Sequence, residues 1–208
     1  MSQLTFAETK ACCYLAYDGK KGEKYRFPDG SMWTILKHWA TTLSGFKAIL
    51  IVQDRAVPRT LKRSVLAFAG TDSIRDGIVD AAQVFGVLPA QYIQALLLAR
   101  ACKTASLDVK LCGHSLGGGL AAYSSVHTRF AASTINPAPL VGAAGFSVWF
   151  GKHPQIVNYI AGGTEFVSSS IGRTPGTDIA VPASGNFFTR HSLGNVDPRV
   201  SMPMKMTR

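Results

Sequence analysis

The apolar residues of this chain fall into two periodicities that take turns along it. Residues 3–18 carry apolar positions at helical spacing and stop at Asp18-Gly19, which predicts an N-terminal helix. "KAILIVQD" (47–54) and "RSVLAFAG" (63–70) are short β-branched or apolar runs closed by turn signals, and both predict strands. "PAQYIQALLLARACKTA" (89–105) opens on a proline suited to a first helical turn and then keeps helical spacing. "LDVKLCG" (107–113) predicts a strand, "GGGLAAYSSVHTRF" (117–130) a helix, and "ASTINPAP" (132–139) and "QIVNYIAG" (155–162) two further strands. Strands that alternate with helices imply an α/β fold with a mostly parallel sheet covered on both faces. Ligands then bind beyond the carboxyl ends of the strands.

Composition sharpens this picture. The 208 residues suit one domain, 1–208, and a hydrophobic content of 47% fits a chain with a packed core rather than a disordered one. No run of about 18 apolar residues is uninterrupted, so no transmembrane helix is expected. The N-terminus has no basic region leading into an apolar stretch, so no secretory signal is expected. The cysteines Cys12, Cys13, Cys102 and Cys112 lack metal-ligand spacing and read as reduced thiols. Synthesis in a cytoplasm follows, with export by a signal-independent route left open.

The net charge of +10 favours phosphate-bearing partners, nucleic acid or an anionic membrane. The basic residues are scattered and do not interleave with aromatics, which argues against nucleic acid.

The chemistry concentrates in one turn. Gly113-His114-Ser115-Leu116-Gly117 matches G-x-S-x-G between a predicted strand and a predicted helix, the context in which that motif presents a serine nucleophile. A sharp strand-to-helix turn needs residues without Cβ two places before and after the serine, and Gly113 and Gly117 supply them. The following helix directs its N-terminal dipole at the attacked carbonyl, and the N–H of Leu116 becomes one oxyanion donor. The alternative is an ordinary glycine-rich turn.

The base should be a histidine downstream of the serine in the order Ser…acid…His. His38 comes too early, and His114 sits beside the serine with its side chain directed away. His127 lies on the helix after the serine, and His153 precedes a strand. His191 in "FFTRHSLGNVDP" remains. For the acid, Glu165 follows the strand "QIVNYI", while Asp178 heads an alternating run that reads as a late strand; Glu165 is favoured.

"LCGHSLGGGLAAY" resembles the nucleophile segment of the class 3 lipases, α/β-hydrolases that include fungal triacylglycerol lipases and plant phospholipases A1. About 40 residues upstream, "VLAFAGTDSIRDGIVDAAQ" (65–83) resembles that family's strand-plus-lid segment. The resemblance covers roughly residues 63–130 and continues loosely to about 197. It implies an α/β-hydrolase fold with a mostly parallel central sheet, helices on both faces and a short lid, and it implies Thr71 as the second oxyanion donor. "Glu-Phe-Val" at 165–167 is similar to the family's Asp-x-Val, although a glutamate departs from the usual aspartate.

Apolar residues between Gly77 and Gly86 in residues 75–89 suit a mobile cover, or equally a packed helix. Phe146, Val148, Trp149 and Phe150 suit an acyl groove or core packing.

Together these features predict a serine ester hydrolase releasing fatty acid from phospholipid or another lipid, with no cofactor or metal. Peripheral contact with an anionic membrane is expected, as is an immunity or inhibitor protein if the chain is a secreted effector. Two alternatives remain: a carboxylesterase or thioesterase for soluble substrates, and a non-catalytic module that binds anionic membranes on a hydrolase fold.

Overall fold

The structure, a computed structural model, describes residues 3–54, 63–70, 90–105, 107–140, 142, 145, 155–164, 174–187 and 189–206. In chain order these form α1 (Phe6–Asp18), β1 (Lys24–Arg26), β2 (Met32–Ala40), β3 (Lys47–Asp54), β4 (Ser64–Phe68), α2 (Ala90–Thr104) and β5 (Val109–His114). There follow α3 (Leu116–Thr128), β6 (Ala132–Ile135), β7 (Ile156–Ala161), β8 (Thr177–Val181), a 3-10 turn over Thr189–His191 and β9 (Met204–Lys205). Among the described residues, the strands make one sheet in the order β8-β7-β6-β5-β4-β3-β2-β1-β9.

The sheet has two halves. From β4 through β8 every neighbouring pair is parallel, as the strand–helix alternation requires. From β4 back through β3, β2 and β1 to β9 every pair is antiparallel. The periodicity did not predict β1, β2 or β9. β2 breaks its own alternation at a register shift between Ile35 and Lys37, which leaves Leu36, Lys37 and His38 exposed in succession. β1 and β9 are too short to show a period at all.

Helices cover both faces. α2 and α3 pack on one side against Leu50, Leu66, Phe68 and Leu111. α1 packs on the other against Trp33, Ile35, Ile49, Ile51 and Val65. Its start is set by a capping box: the Thr5 hydroxyl accepts the Glu8 N–H while the Glu8 carboxylate accepts the Thr5 N–H. The same Glu8 carboxylate pairs with Arg63 just before β4, pinning the helix to the sheet.

One-sided helical spacing understates how enclosed α1 is. Glu8, Thr9 and Lys10 are buried as well, because Leu193, Val196 and Met202 of the C-terminal segment pack over the same cluster. Lys10 meets its burial cost by donating from Nζ to the carbonyls of Asp197 at 2.9 Å and Val200 at 3.0 Å. The C-terminal segment is thereby tied to α1. The four cysteines are free and buried, and burial pushes the Cys12 and Cys112 thiols well above their usual range. Among the described residues, no helix is long and apolar enough to cross a membrane.

Candidate active site

Ser115 stands at the carboxyl end of β5, in the middle of the sheet and immediately before α3. Its backbone has φ 58° and ψ −126°, a conformation that L-residues adopt only when their surroundings impose it. The surroundings here are specific. Ser115 N–H donates to the Ile135 carbonyl at 3.2 Å, and its own carbonyl accepts Gly119 N–H at 3.1 Å and Ala138 N–H at 2.8 Å. The turn is thus clamped to β6 and to the segment beyond it.

The two motif glycines earn their places by proximity. A Cβ on Gly113 would overlap the Gly117 carbonyl, and one on Gly117 would overlap the Phe68 carbonyl at the end of β4. Helix, turn and neighbouring strand therefore approach at backbone distance.

The serine hydroxyl is buried and has no hydrogen-bond partner among the described residues. A buried, unpartnered hydroxyl costs about 1–3 kcal/mol, and a strained backbone on the order of 1–3 kcal/mol more. Both features are concentrated on one side chain, the pattern of a group held ready for a ligand. Leu116 is the first residue of α3 and is buried beside it. The first N–H groups of a helix lack intrahelical acceptors and point toward its N-terminal end, here toward Ser115.

His191 closes the 3-10 turn after β8 and is buried to 3% exposure. The fold brings it against the nucleophile turn. Its ring lies 4.8 Å, centroid to centroid, from the His114 ring, and its backbone carbonyl is 2.7 Å from His114 Nε2. Asn136 Nδ2 donates to the same carbonyl at 3.2 Å and to that of Arg190 at 3.1 Å.

His38 is exposed on β2, and His127 packs edge-on against Tyr123 at 4.5 Å on α3. Burial, aided by Arg100, lowers the His127 imidazole below its usual pKa. His153 lies outside the described residues.

Asp178 sits within β8, three strands from β5, where its Oδ1 accepts Asn158 Nδ2 at 2.8 Å. Asn158 continues inward to Thr134, which donates to it at 2.7 Å, so this carboxylate ends a row crossing β8, β7 and β6. Thr71, Glu165, the segment 75–89 and the cluster 146–150 lie outside the described residues. Among the described residues, no group of three or more His, Cys, Asp or Glu side chains is arranged to hold a metal ion.

Sequence reasoning missed Asn136 and Tyr17. Asn136 follows β6 in a left-handed conformation, φ 42°, and the Asn136-Pro137 pair is a turn signal that marks its place, though not its partners. Tyr17, at the end of α1, brings its hydroxyl to 2.9 Å from His114 Nδ1 across 97 residues of sequence, which no local pattern records.

A family model of the Tle-like phospholipase domain matches residues 28–144. The chain is 42% identical over 96 residues to an extracellular phospholipase A1 of Serratia liquefaciens, covering 46% of this chain and 28% of that protein. This chain therefore aligns with less than a third of that relative's length.

Among solved structures it is similar to a triacylglycerol lipase from Penicillium expansum, with a TM-score of 0.51 and 12% identity over 96% of this chain and 81% of that one. It is also similar to a lipase from Rhizopus microsporus var. chinensis, with a TM-score of 0.56 and 14% identity over 92% and 78% of the two chains. These likenesses are of fold, and the fold is that of the α/β-hydrolases.

Proposed function

Because the chain belongs to the family of Tle-like phospholipase domains, we propose that it is a serine ester hydrolase that releases fatty acid from phospholipid. The observation that carries the reading is Ser115. It is buried, strained and without a hydroxyl partner among the described residues, at the mouth of α3 and with His191 against the same turn.

In this mechanism Ser115 Oγ attacks the ester carbonyl carbon while His191 removes its proton. The tetrahedral oxyanion is held by the N–H groups of Leu116 and Thr71. Collapse breaks the ester C–O bond; the leaving alcohol, a lysophospholipid, takes its proton from His191, and the acyl group stays on Ser115. Water activated by His191 then releases the fatty acid. Glu165 orients the imidazole and stabilises its cationic form. Two features favour Glu165 over Asp178: in sequence it comes four residues after β7, a strand one place nearer β5 than β8 is, and Asp178 already accepts a hydrogen bond from Asn158. No cofactor or metal takes part, and residues 1–208 act as one domain.

The substrate is met at an anionic lipid surface. Net charge of +10 attracts such a surface by about 1 kcal/mol for each basic residue brought near it. The sheet edge that carries Ser115 also carries exposed apolar residues. The β2–β3 turn emerges beside the end of β4, since Ala40 pairs with Lys47 and Ala48 with Phe68. Leu43 at its tip is fully exposed. The turn is fastened to the start of α2 by Ser44 Oγ donating to Gln94 Oε1 at 2.8 Å, and Ile93 and Leu97 are exposed on that helix. Lys47 at the start of β3 adds positive charge to this side.

The test is fatty-acid release from anionic phospholipid vesicles by the wild type, Ser115→Ala and His191→Ala. Release is expected from the wild type and should fall by at least about 10³-fold in either variant. Undiminished release by Ser115→Ala would refute the mechanism. Turnover confined to soluble short-chain esters would move the protein to the carboxylesterases.

A further inference from the structure

We propose that His114, oriented by Tyr17, is a positioning residue that ties the backbone of His191 to the nucleophile's own peptide, with His191 read as the general base as above. His114 is the variable residue of Gly113-His114-Ser115, and strand alternation turns its side chain toward α1, the face that Cys112 also serves. It does not face substrate. Its Nε2 lies 2.7 Å from the His191 carbonyl oxygen and its Nδ1 lies 2.9 Å from the Tyr17 hydroxyl.

With the ring neutral, the two contacts together select one proton arrangement. A carbonyl only accepts, so Nε2 must carry the hydrogen and donate it to His191. In the neutral ring Nδ1 is then an acceptor, and the Tyr17 O–H donates to it. The order is Tyr17 O–H to His114 Nδ1, then His114 Nε2–H to the His191 carbonyl. Three largely buried residues from α1, β5 and the 3-10 turn are joined in one line: Tyr17 is 8% exposed, His114 6% and His191 3%. Hydrogen bonds withheld from water in this way are expensive to leave unmade.

The arrangement solves a placement problem. Ser115 stands at the end of an interior strand, its backbone bonded to Ile135 and Ala138, whereas His191 rides on a turn in the C-terminal segment. A general base displaced by about 1 Å costs on the order of 10²-fold in rate. Because His114 and Ser115 share a peptide bond, a bond from His114 to the His191 backbone fixes base against nucleophile through a single residue. The uncharged tautomer also keeps a second cation away from the His191 ring, 4.8 Å distant, when that ring takes the serine proton.

Tyr17 reaches one step further. A Cβ on Gly70 would lie 2.6 Å from the Tyr17 hydroxyl and 3.3 Å from Ser115 Cβ, so the same phenol abuts the end of the β4 segment that leads to Thr71. The end of α1 thus touches the nucleophile turn, the base turn through His114, and the residue before the proposed oxyanion donor.

The experiment compares His114→Leu, His114→Gln and Tyr17→Phe with the wild type, Ser115→Ala and His191→Ala. Readouts are kcat and KM on a soluble p-nitrophenyl ester, the rate of Ser115 labelling by a fluorophosphonate, and circular dichroism. His114→Leu should lower kcat and labelling about 100-fold while KM changes less than about threefold. Glutamine places an N–H near the position of Nε2, so His114→Gln should recover to within about 10-fold of wild type, and Tyr17→Phe should lose about 5-fold.

A folded His114→Leu protein within threefold of wild-type kcat would overturn the proposal, as would His114→Gln no better than His114→Leu. If His114→Leu does not fold, the glutamine and phenylalanine variants decide by the same margins. Retained turnover in Ser115→Ala or His191→Ala would instead refute the underlying mechanism, and the positioning role with it.

Discussion

Asn136 donates from Nδ2 to the His191 carbonyl at 3.2 Å while its Oδ1 receives the Ala161 N–H at 2.9 Å. One amide therefore joins the end of β7 to the turn that bears the histidine, from a residue just past β6. It does so in a left-handed conformation, φ 42°, which asparagine tolerates better than most residues.

Replacing Asn136 with alanine removes three hydrogen bonds and leaves a strained backbone. The expected loss of stability is about 2–4 kcal/mol, summing the lost hydrogen bonds, among them that of the buried Ala161 N–H, with the left-handed penalty. Ester turnover should fall about 10-fold or more as the His191 turn loosens. Urea unfolding and kcat on a soluble ester measure the two effects. A stability loss with unchanged kcat would mean that His114 alone suffices to hold the turn.

Ser115 presents a trade of stability for function. Glycine adopts φ 58°, ψ −126° without a Cβ penalty, so Ser115→Gly should relieve about 1–3 kcal/mol of strain. The added freedom of glycine in the unfolded chain takes back about 0.5–1 kcal/mol. Both Ser115→Gly and Ser115→Ala shed the unpartnered hydroxyl and esterase activity, but alanine keeps the Cβ, so the net expectation is a glycine variant about 1 kcal/mol more stable than the alanine variant. Equal urea midpoints for the glycine and alanine variants would show that the turn stores no strain.

Strands β4 to β7 of the parallel half were legible because each is a short run buried along most of its length that precedes or follows a helical period, whereas β8, exposed from Thr177 to Ala180, showed only as an alternating run. The serine turn was legible because its geometry needs glycine at two fixed offsets. Of the antiparallel half β3 was legible but β2 was not, because the bulge in β2 sends three consecutive side chains outward and erases the two-residue period that would have announced it. His191 emerged by eliminating other histidines. What holds it did not emerge, because Tyr17, His114 and Asn136 lie 97, 77 and 55 residues from the groups they bond and meet only in the folded chain. The antiparallel flank is finished by β9, which pairs with β1 and adds an ion pair to that ladder, a contact testable by pH.

Glu23, just before β1, accepts from Lys205 Nζ of β9 at 2.5 Å, from the Tyr25 hydroxyl at 2.6 Å and from the Lys20 N–H at 2.8 Å. Burial by itself would raise its carboxyl pKa. Lys205, Tyr25 and the Lys20 N–H outweigh burial and hold it at about 2, against 4.5 for an ordinary glutamate. A folded pKa below the unfolded one means that protons favour the unfolded chain. The Glu23 contribution is complete above about 4.5 and disappears as pH falls through about 2. Glu23→Gln should therefore be less stable than wild type at pH 7, with the gap closing between pH 4.5 and 2. Urea midpoints across that range give the answer; a gap that stays constant would place the effect of Glu23 in its packing.

Leu43 and Ile93 separate binding to a lipid surface from chemistry on an ester. Both are exposed at the sheet edge that bears Ser115, and neither belongs to the proposed catalytic machinery. A leucine at the tip of a turn gains free energy by entering the acyl region of a bilayer, and an aspartate there is repelled by anionic headgroups at about 1 kcal/mol per charge. The double variant Leu43→Asp, Ile93→Asp should thus lose at least about 10-fold in fatty-acid release from anionic vesicles, while turnover of a soluble ester stays within twofold. Raising the salt concentration should narrow the difference, because the repulsive part is screened and the apolar part is not. Equal losses on vesicles and soluble ester would trace the effect to the catalytic site. Unchanged release from vesicles would mean that the bilayer is met by another face of the protein.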